Sequence, residues 1–172
     1  MPHRGRRHPA LRLLFRAPVY LYRWRLGGLL GRRFLLLIHT GRRSGALHQT
    51  VLEIMEYRAE TGEAIVMSGF GPNADWLRNL VAHPGAEIVI GWQRFAVAWR
   101  MLGPDEAAGV VAGHERRNRL TAPIVRNVLS RLLGWRYAGT EADRRRLVAE
   151  LPLIAFRPAA ASATSRWSAT PR

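Results

Sequence analysis

Beyond residue 33 the chain sets its apolar residues in short runs divided by turn residues, a spacing that predicts strands. Residues 34–38 are an unbroken apolar run, as in a strand buried on both faces. A Gly-Arg-Arg-Ser-Gly loop at 41–45 leads into a second strand over about 48–57. The turn Ala59-Glu60-Thr61-Gly62 then returns the chain through a third strand at 64–67. After a glycine-rich loop, Asn73 or Asp75 is placed to cap a short helix around 76–80, which His83-Pro84-Gly85 ends. Strands at 87–90 and 93–102 flank the turn Gly91-Trp92. The second of these alternates, with Phe95, Val97, Trp99 and Met101 on one face and Arg94, Ala96, Ala98 and Arg100 on the other. Five closely spaced strands joined by hairpins predict an antiparallel sheet or small barrel.

The period changes after residue 103. Pro104, Asp105 and Glu106 make a first helical turn for a helix reaching about residue 119. Thr121 opens a second, to about 134, and Thr140 with Asp143 makes a variant capping box for a third, stopped by Pro152. A last strand is expected at 153–156, and the Ala/Ser/Thr-rich stretch 158–172 predicts a disordered tail. At the other end, residues 11–26 predict a surface helix. Arg12, Arg16 and Arg23 fall on one side, Leu11, Leu14, Phe15, Val19, Tyr22 and Leu26 on another, and Pro18 favours a kink. The fold class is α+β, with a basic segment 1–32, a main domain 33–157 and a tail.

Charge sharpens this picture. In 172 residues all 27 basic side chains are arginine, against 12 acids, for a net +15. Residues 1–52 hold eleven of those arginines and no acid. An arginine-faced helix at 11–26 suits an anionic membrane surface; the plain alternative is that it packs on the domain. No uncharged run near the start approaches the ~20 residues of a membrane span, so a cytoplasmic protein is expected, peripheral on the inner membrane face if 11–26 engages lipid. No helix-turn-helix or aromatic-interleaved motif supports specific nucleic-acid binding. The absence of cysteine excludes disulfides, thiolate metal sites and cysteine nucleophiles.

Chemistry-bearing motifs are sparse. Residues 69–74 fit G-x-G-x-x-A between a strand and a helix, but the flanking hairpins oppose a dinucleotide fold. The six histidines show no metal-ligand spacing, and neither Ser44 nor Ser68 lies in G-x-S-x-G. The 41–45 loop stands out more: two glycines free the backbone, and Arg42 and Arg43 offer forks for phosphate or carboxylate.

Residues 36–45 (Leu-Leu-Ile-His-Thr-Gly-Arg-Arg-Ser-Gly), 50–52, 66–71, 75–80 and His83-Pro84, in this order, resemble the deazaflavin-dependent nitroreductase family, also called the F-420-dependent quinone reductases. The resemblance implies a split β-barrel of the FMN-binding kind with flanking helices. It implies hydride transfer from reduced coenzyme F-420, an 8-hydroxy-5-deazaflavin, to a small or lipophilic quinone-, nitro- or enone-like acceptor. It assigns Arg42, Arg43, Ser44 and Gly45 to the phosphate and acidic tail, and His48, Thr50, Ser68, Gly69, Phe70, Gly71, Trp76 and Asn79 to the ring. Ser68 is the catalytic candidate, through a hydrogen bond to ring or substrate, and Tyr137 is a candidate proton donor. Because the cofactor carries the reaction, no acid–base triad is required. Leu47-His48 stand where many members have Pro-Arg, and Glu53 stands where nitroimidazole-reducing members often have tyrosine, so that substrate range is not transferred. FMN is the alternative cofactor. The alternative functions are an FMN- or haem-binding barrel and a basic binder of membrane or nucleic acid, and a homodimer is allowed.

Overall fold

A computed structural model describes residues 33–159. The helix expected over 11–26 and the tail from residue 160 lie outside the described residues.

Six antiparallel strands close into a barrel: β1 (Phe34–Thr40), β2 (Leu47–Arg58), β3 (Glu63–Met67), β4 (Ala86–Ile90), β5 (Gln93–Met101) and β6 (Leu153–Pro158). Their order around the barrel is β1-β2-β3-β6-β5-β4. This is the split β-barrel. The antiparallel pairing on both sides of β3 removes the parallel sheet that a dinucleotide reading of residues 69–74 needs. β6 continues through Pro158, opposite Val97, so the first residue of the expected tail belongs to the sheet.

Pleat parity explains the apolar runs. Leu35, Leu37, Ala64, Val66, Ile154 and Phe156 point into the barrel. The intervening Ile65, Leu153 and Ala155 point outward and are equally buried, because helices cover that face. The covering layer is α2 (Pro104–Arg117), α3 (Ala122–Leu133) and α4 (Glu141–Glu150). In it Val110, Val111, Leu147 and Val148 meet the outward strand residues. The Thr140–Asp143 capping box forms in both directions at the start of α4. On β5, Phe95, Val97 and Trp99 join the barrel core as the alternation predicts, whereas Met101 at the strand end is exposed.

Outside the barrel wall, the nearly buried Glu63 carboxylate accepts from Arg58 (2.9 Å) and Arg100 (3.2 Å). Both arginines also reach Glu106 of α2, at 2.7 and 2.8 Å, which ties this helix to β2, β3 and β5. Those two guanidiniums, Arg100 foremost, hold the Glu106 carboxyl down at about 2.

One further helix, α1 (Asp75–Ala82), follows a single 3-10 turn at Gly71–Asn73 and closes a mouth of the barrel. Its Trp76, Leu77 and Leu80 enter the interior core. Neither Asn73 nor Asp75 caps it. The N-cap is Ala74, with no side-chain cap bond, and Asp75 is the first helical residue. Standing inside the first turn, Asp75 is one position too late to be the cap. Among the described residues no helix is long and apolar enough to cross a membrane.

Candidate functional site

The strand register gathers the segments singled out above at one rim. Thr40 lies opposite Leu47, His39 opposite Ala86, and Met67 opposite Leu153. The β1–β2 loop, the segment after β3 and the start of β4 therefore share an end of the barrel with α1.

The loop is locked by its own backbone: Gly41 N–H donates to the Ala46 carbonyl and Gly45 N–H to the Gly41 carbonyl, both at 2.8 Å. Ser44 Oγ accepts from Ala46 N–H at 3.2 Å. Glycine at residue 41 lets the His48 ring close over the loop, since a Cβ there would lie 2.5 Å from His48 Nε2 and would push that side chain aside.

Arg42 and Arg43 differ sharply. The Arg42 guanidinium donates to Asn79 Oδ1 (2.9 Å) and to Asp75 Oδ1 (3.0 Å), and its backbone N–H also donates to Asn79 Oδ1 (3.1 Å). It clamps the loop onto the first two turns of α1, through Asp75 and Asn79. Arg43 is exposed and makes no ion pair among the described residues.

A buried polar chain continues inward. With Asn79 Oδ1 taken by Arg42, its amide nitrogen faces His39 Nδ1 at 3.2 Å. That nitrogen must accept, so the ring proton sits on Nε2 and points at Thr50 Oγ1, 3.3 Å away. His39 is 3% exposed. Burial, and secondarily the neighbouring His48, push its pKa down to about 4, so the ring is neutral. His48 stacks on it with centroids 5.8 Å apart and planes 18° from parallel.

After β3 the chain turns tightly. Ser68 is fully buried; its N–H donates to the Pro152 carbonyl and its hydroxyl to the Gly71 carbonyl at 2.6 Å. The hydroxyl of the catalytic candidate is thus committed to the turn and is not presented to an open site. Gly71 adopts φ +69°, and a Cβ there would lie 3.1 Å from the Glu150 carbonyl oxygen, so this turn also seats the end of α4. Gly69 and Phe70, between these anchors, are exposed.

Of the expected set, Arg42, His48, Thr50 and Asn79 meet in one network through His39. Arg43, Ser44, Gly45, Gly69 and Phe70 form the exposed part of the rim. Trp76 instead packs down into the barrel, tilted against Phe156 with ring centroids 6.5 Å apart. Tyr137 lies in the outer helical core, away from the rim. Its hydroxyl donates to Glu115 at 3.0 Å, and burial and that carboxylate push the phenol up, which removes it as a proton donor to the rim. His39 and Asp75 join this network without being among the expected site residues, Asp75 being expected only as a helix cap. His39 shares the inward parity of Leu35 and Leu37, a signal that would have placed it inside the barrel. No group of three His, Asp or Glu side chains among the described residues could hold a metal ion.

The model for F-420H(2)-dependent quinone reductases matches residues 15–123. The chain belongs to that family. It is an oxidoreductase of the F-420-dependent kind, and both ends of the rim, loop 41–45 and helix α1, fall within the matched stretch. No curated protein matches the chain in sequence. Among solved structures, the protein Atu2129 of unknown function from Agrobacterium tumefaciens str. C58 matches at 16% identity and a TM-score of 0.50. That match covers 83% of this chain and 55% of the other, so the chain spans little more than half that protein's length. An F-420-H2 dependent reductase (FDR-A) matches at 17% identity and a TM-score of 0.42, covering 74% of this chain and 96% of that one. A pyridoxamine 5'-phosphate oxidase-related, FMN-binding protein from Nostoc punctiforme PCC 73102 matches at 15% identity and 0.43, covering 84% and 80%. At such identities these likenesses concern the fold alone.

Of the three arginines in residues 33–52, Arg33 pairs with Glu53 and Arg42 with Asp75, which leaves Arg43 as the one without a carboxylate partner among the described residues.

Proposed function

We propose that this chain binds reduced F-420 along the 41–45 and 69–71 rim and reduces a lipophilic quinone-, nitro- or enone-like acceptor. When bound, the deazaflavin supplies the hydride, and the protein contributes orientation and electrostatics. The observation carrying the reading is the convergence of 41–45, 69–71 and α1, far apart in sequence, on one rim where Arg43 has no ion-pair partner among the described residues.

In this reading Arg43 and the backbone around Ser44 and Gly45 meet the phosphate and tail carboxylates, while Gly69 and Phe70 border the ring. Arg42, Asn79, His39 and Thr50 are positioning residues. They fix the loop against α1 and keep a neutral imidazole below it, so the rim is preformed and loses little entropy on binding. Ser68 is likewise a positioning residue that sets the 68–71 turn.

The test is a titration of the full chain with F-420, a tail-free deazaflavin and FMN, followed by turnover of reduced F-420 with a quinone, a nitroarene and an enone. Tighter binding of F-420 than of either competitor, with turnover of at least one acceptor, is expected. Preference for FMN overturns the reading.

A further inference from the structure

We propose that the outer face of α3 is a docking surface for an anionic lipid bilayer. This goes beyond the cofactor reading and does not depend on it.

Helix α3 has two unlike faces. Leu129 and Leu133 pack half-buried against the outer helical core, yet none of the helix's residues is fully buried. On the adjoining face Ile124, Val128 and Leu132 follow one another at a spacing of four, with Val125 beside them and Leu120 in the turn just before the helix. Leu120 is 90% exposed and Ile124 68%. Three large apolar side chains in one exposed row, with exposed Val125 and Leu120 near its start, are an interaction surface and not scattered surface residues.

The charge around the row selects the occupant. Residues 116–140 contain six arginines and no acid. Arg116, Arg119, Arg131 and Arg136 are exposed and form no ion pair among the described residues. By contrast, Arg58, Arg94, Arg100, Arg144, Arg145 and Arg146 all meet carboxylates. An apolar row rimmed by unpaired arginine guanidiniums matches a surface whose interior is hydrocarbon and whose headgroups are anionic.

The other occupants are disfavoured by the same charges. A two-fold interface between copies would bring these arginines face to face with no acid between them. The chain's own ends are no better: residues 1–32 carry eight arginines and residues 160–172 carry two, all without an acid.

The experiment is co-sedimentation of the full chain with vesicles of phosphatidylcholine alone or of equal parts phosphatidylcholine and phosphatidylglycerol. The parent protein is expected to bind the mixed vesicles, and to release as salt rises. Ile124→Ser/Val128→Ser should lower that binding about ten-fold or more, and Arg119→Gln/Arg131→Gln should weaken it while flattening its salt dependence. All four positions are exposed, so melting temperature and F-420 binding should stay at the parent's values. Three results overturn the proposal. One is parent-like vesicle binding by the Ile124/Val128 variant, which would move the contact elsewhere in the chain. Another is no binding of the parent to mixed vesicles. The third is a parent dimer that becomes a monomer in the Ile124/Val128 variant, which would make a second copy the occupant.

Discussion

Arg42 and Arg43 are adjacent and chemically identical, yet their surroundings predict opposite phenotypes on substitution to alanine. Arg42→Ala removes a charge-assisted hydrogen bond to the buried Asn79 and an ion pair to Asp75, whose side chain is 79% exposed. The first contributes about 1.5–3 kcal/mol. The second, screened by water, contributes about 0–1 kcal/mol. The expected loss is therefore roughly 1.5–4 kcal/mol, or about 3–16 °C in Tm for a chain of this length. Arg43→Ala touches no partner, so its stability change should stay within about 0.5 kcal/mol. Binding reverses the emphasis. Arg43→Ala should lose a direct contact to the acidic tail and weaken F-420 about ten-fold at low salt, with little effect on a tail-free deazaflavin. Arg42→Ala should weaken both ligands alike, because it loosens the loop that both use. Thermal melts and paired titrations in low and high salt separate the two roles. An Arg42→Ala protein that melts like its parent, or an Arg43→Ala protein with parental F-420 affinity, would refute the division of labour drawn here.

Further outcomes are expected at the buried polar groups. His39 is held at about 4 against an ordinary 6.5, so between those values the unfolded chain binds the extra proton. Stability should thus be complete above pH 6.5 and fall by roughly 3 kcal/mol towards pH 4, a slope that His39→Gln flattens in urea melts. Glu106, held near 2, adds a second decline below pH 4.5 that persists in that variant. Ser68→Ala should cost about 1–3 kcal/mol through the turn bond to Gly71 while keeping turnover once folded. Abolished turnover in a stably folded Ser68→Ala protein would restore its catalytic reading. Glu63→Leu should destabilise by about 1–3 kcal/mol, since Arg58 and Arg100 are left to share Glu106, and urea midpoints measure it.

What the sequence discloses and what it conceals divide along the range of the forces involved. The strands are legible because each carries its burial in its own local pattern: β5 alternates, and the unbroken run Ala64, Ile65 and Val66 needs no distant partner to read as a strand covered on both faces. The start of α4 is legible for the same reason, because Thr140 and Asp143 satisfy each other across three residues. The start of α1 is not. Asp75 has the chemistry of a cap, but the helix begins at Asp75 itself, with Ala74 at the N-cap, and its carboxylate faces Arg42, 33 positions earlier. The same long-range contact hides the centre of the site. His39, Thr50 and Asn79 look unconnected until the barrel closes. Only then does each Asn79 bond force the next: Oδ1 to Arg42, hence Nδ2 to His39 Nδ1, hence the Nε2 proton to Thr50. The rim's two roles are split within that chain. Side chains whose donors find partners inside the fold hold the loop, and Arg43, the one of the pair left without a partner there, remains available to a ligand.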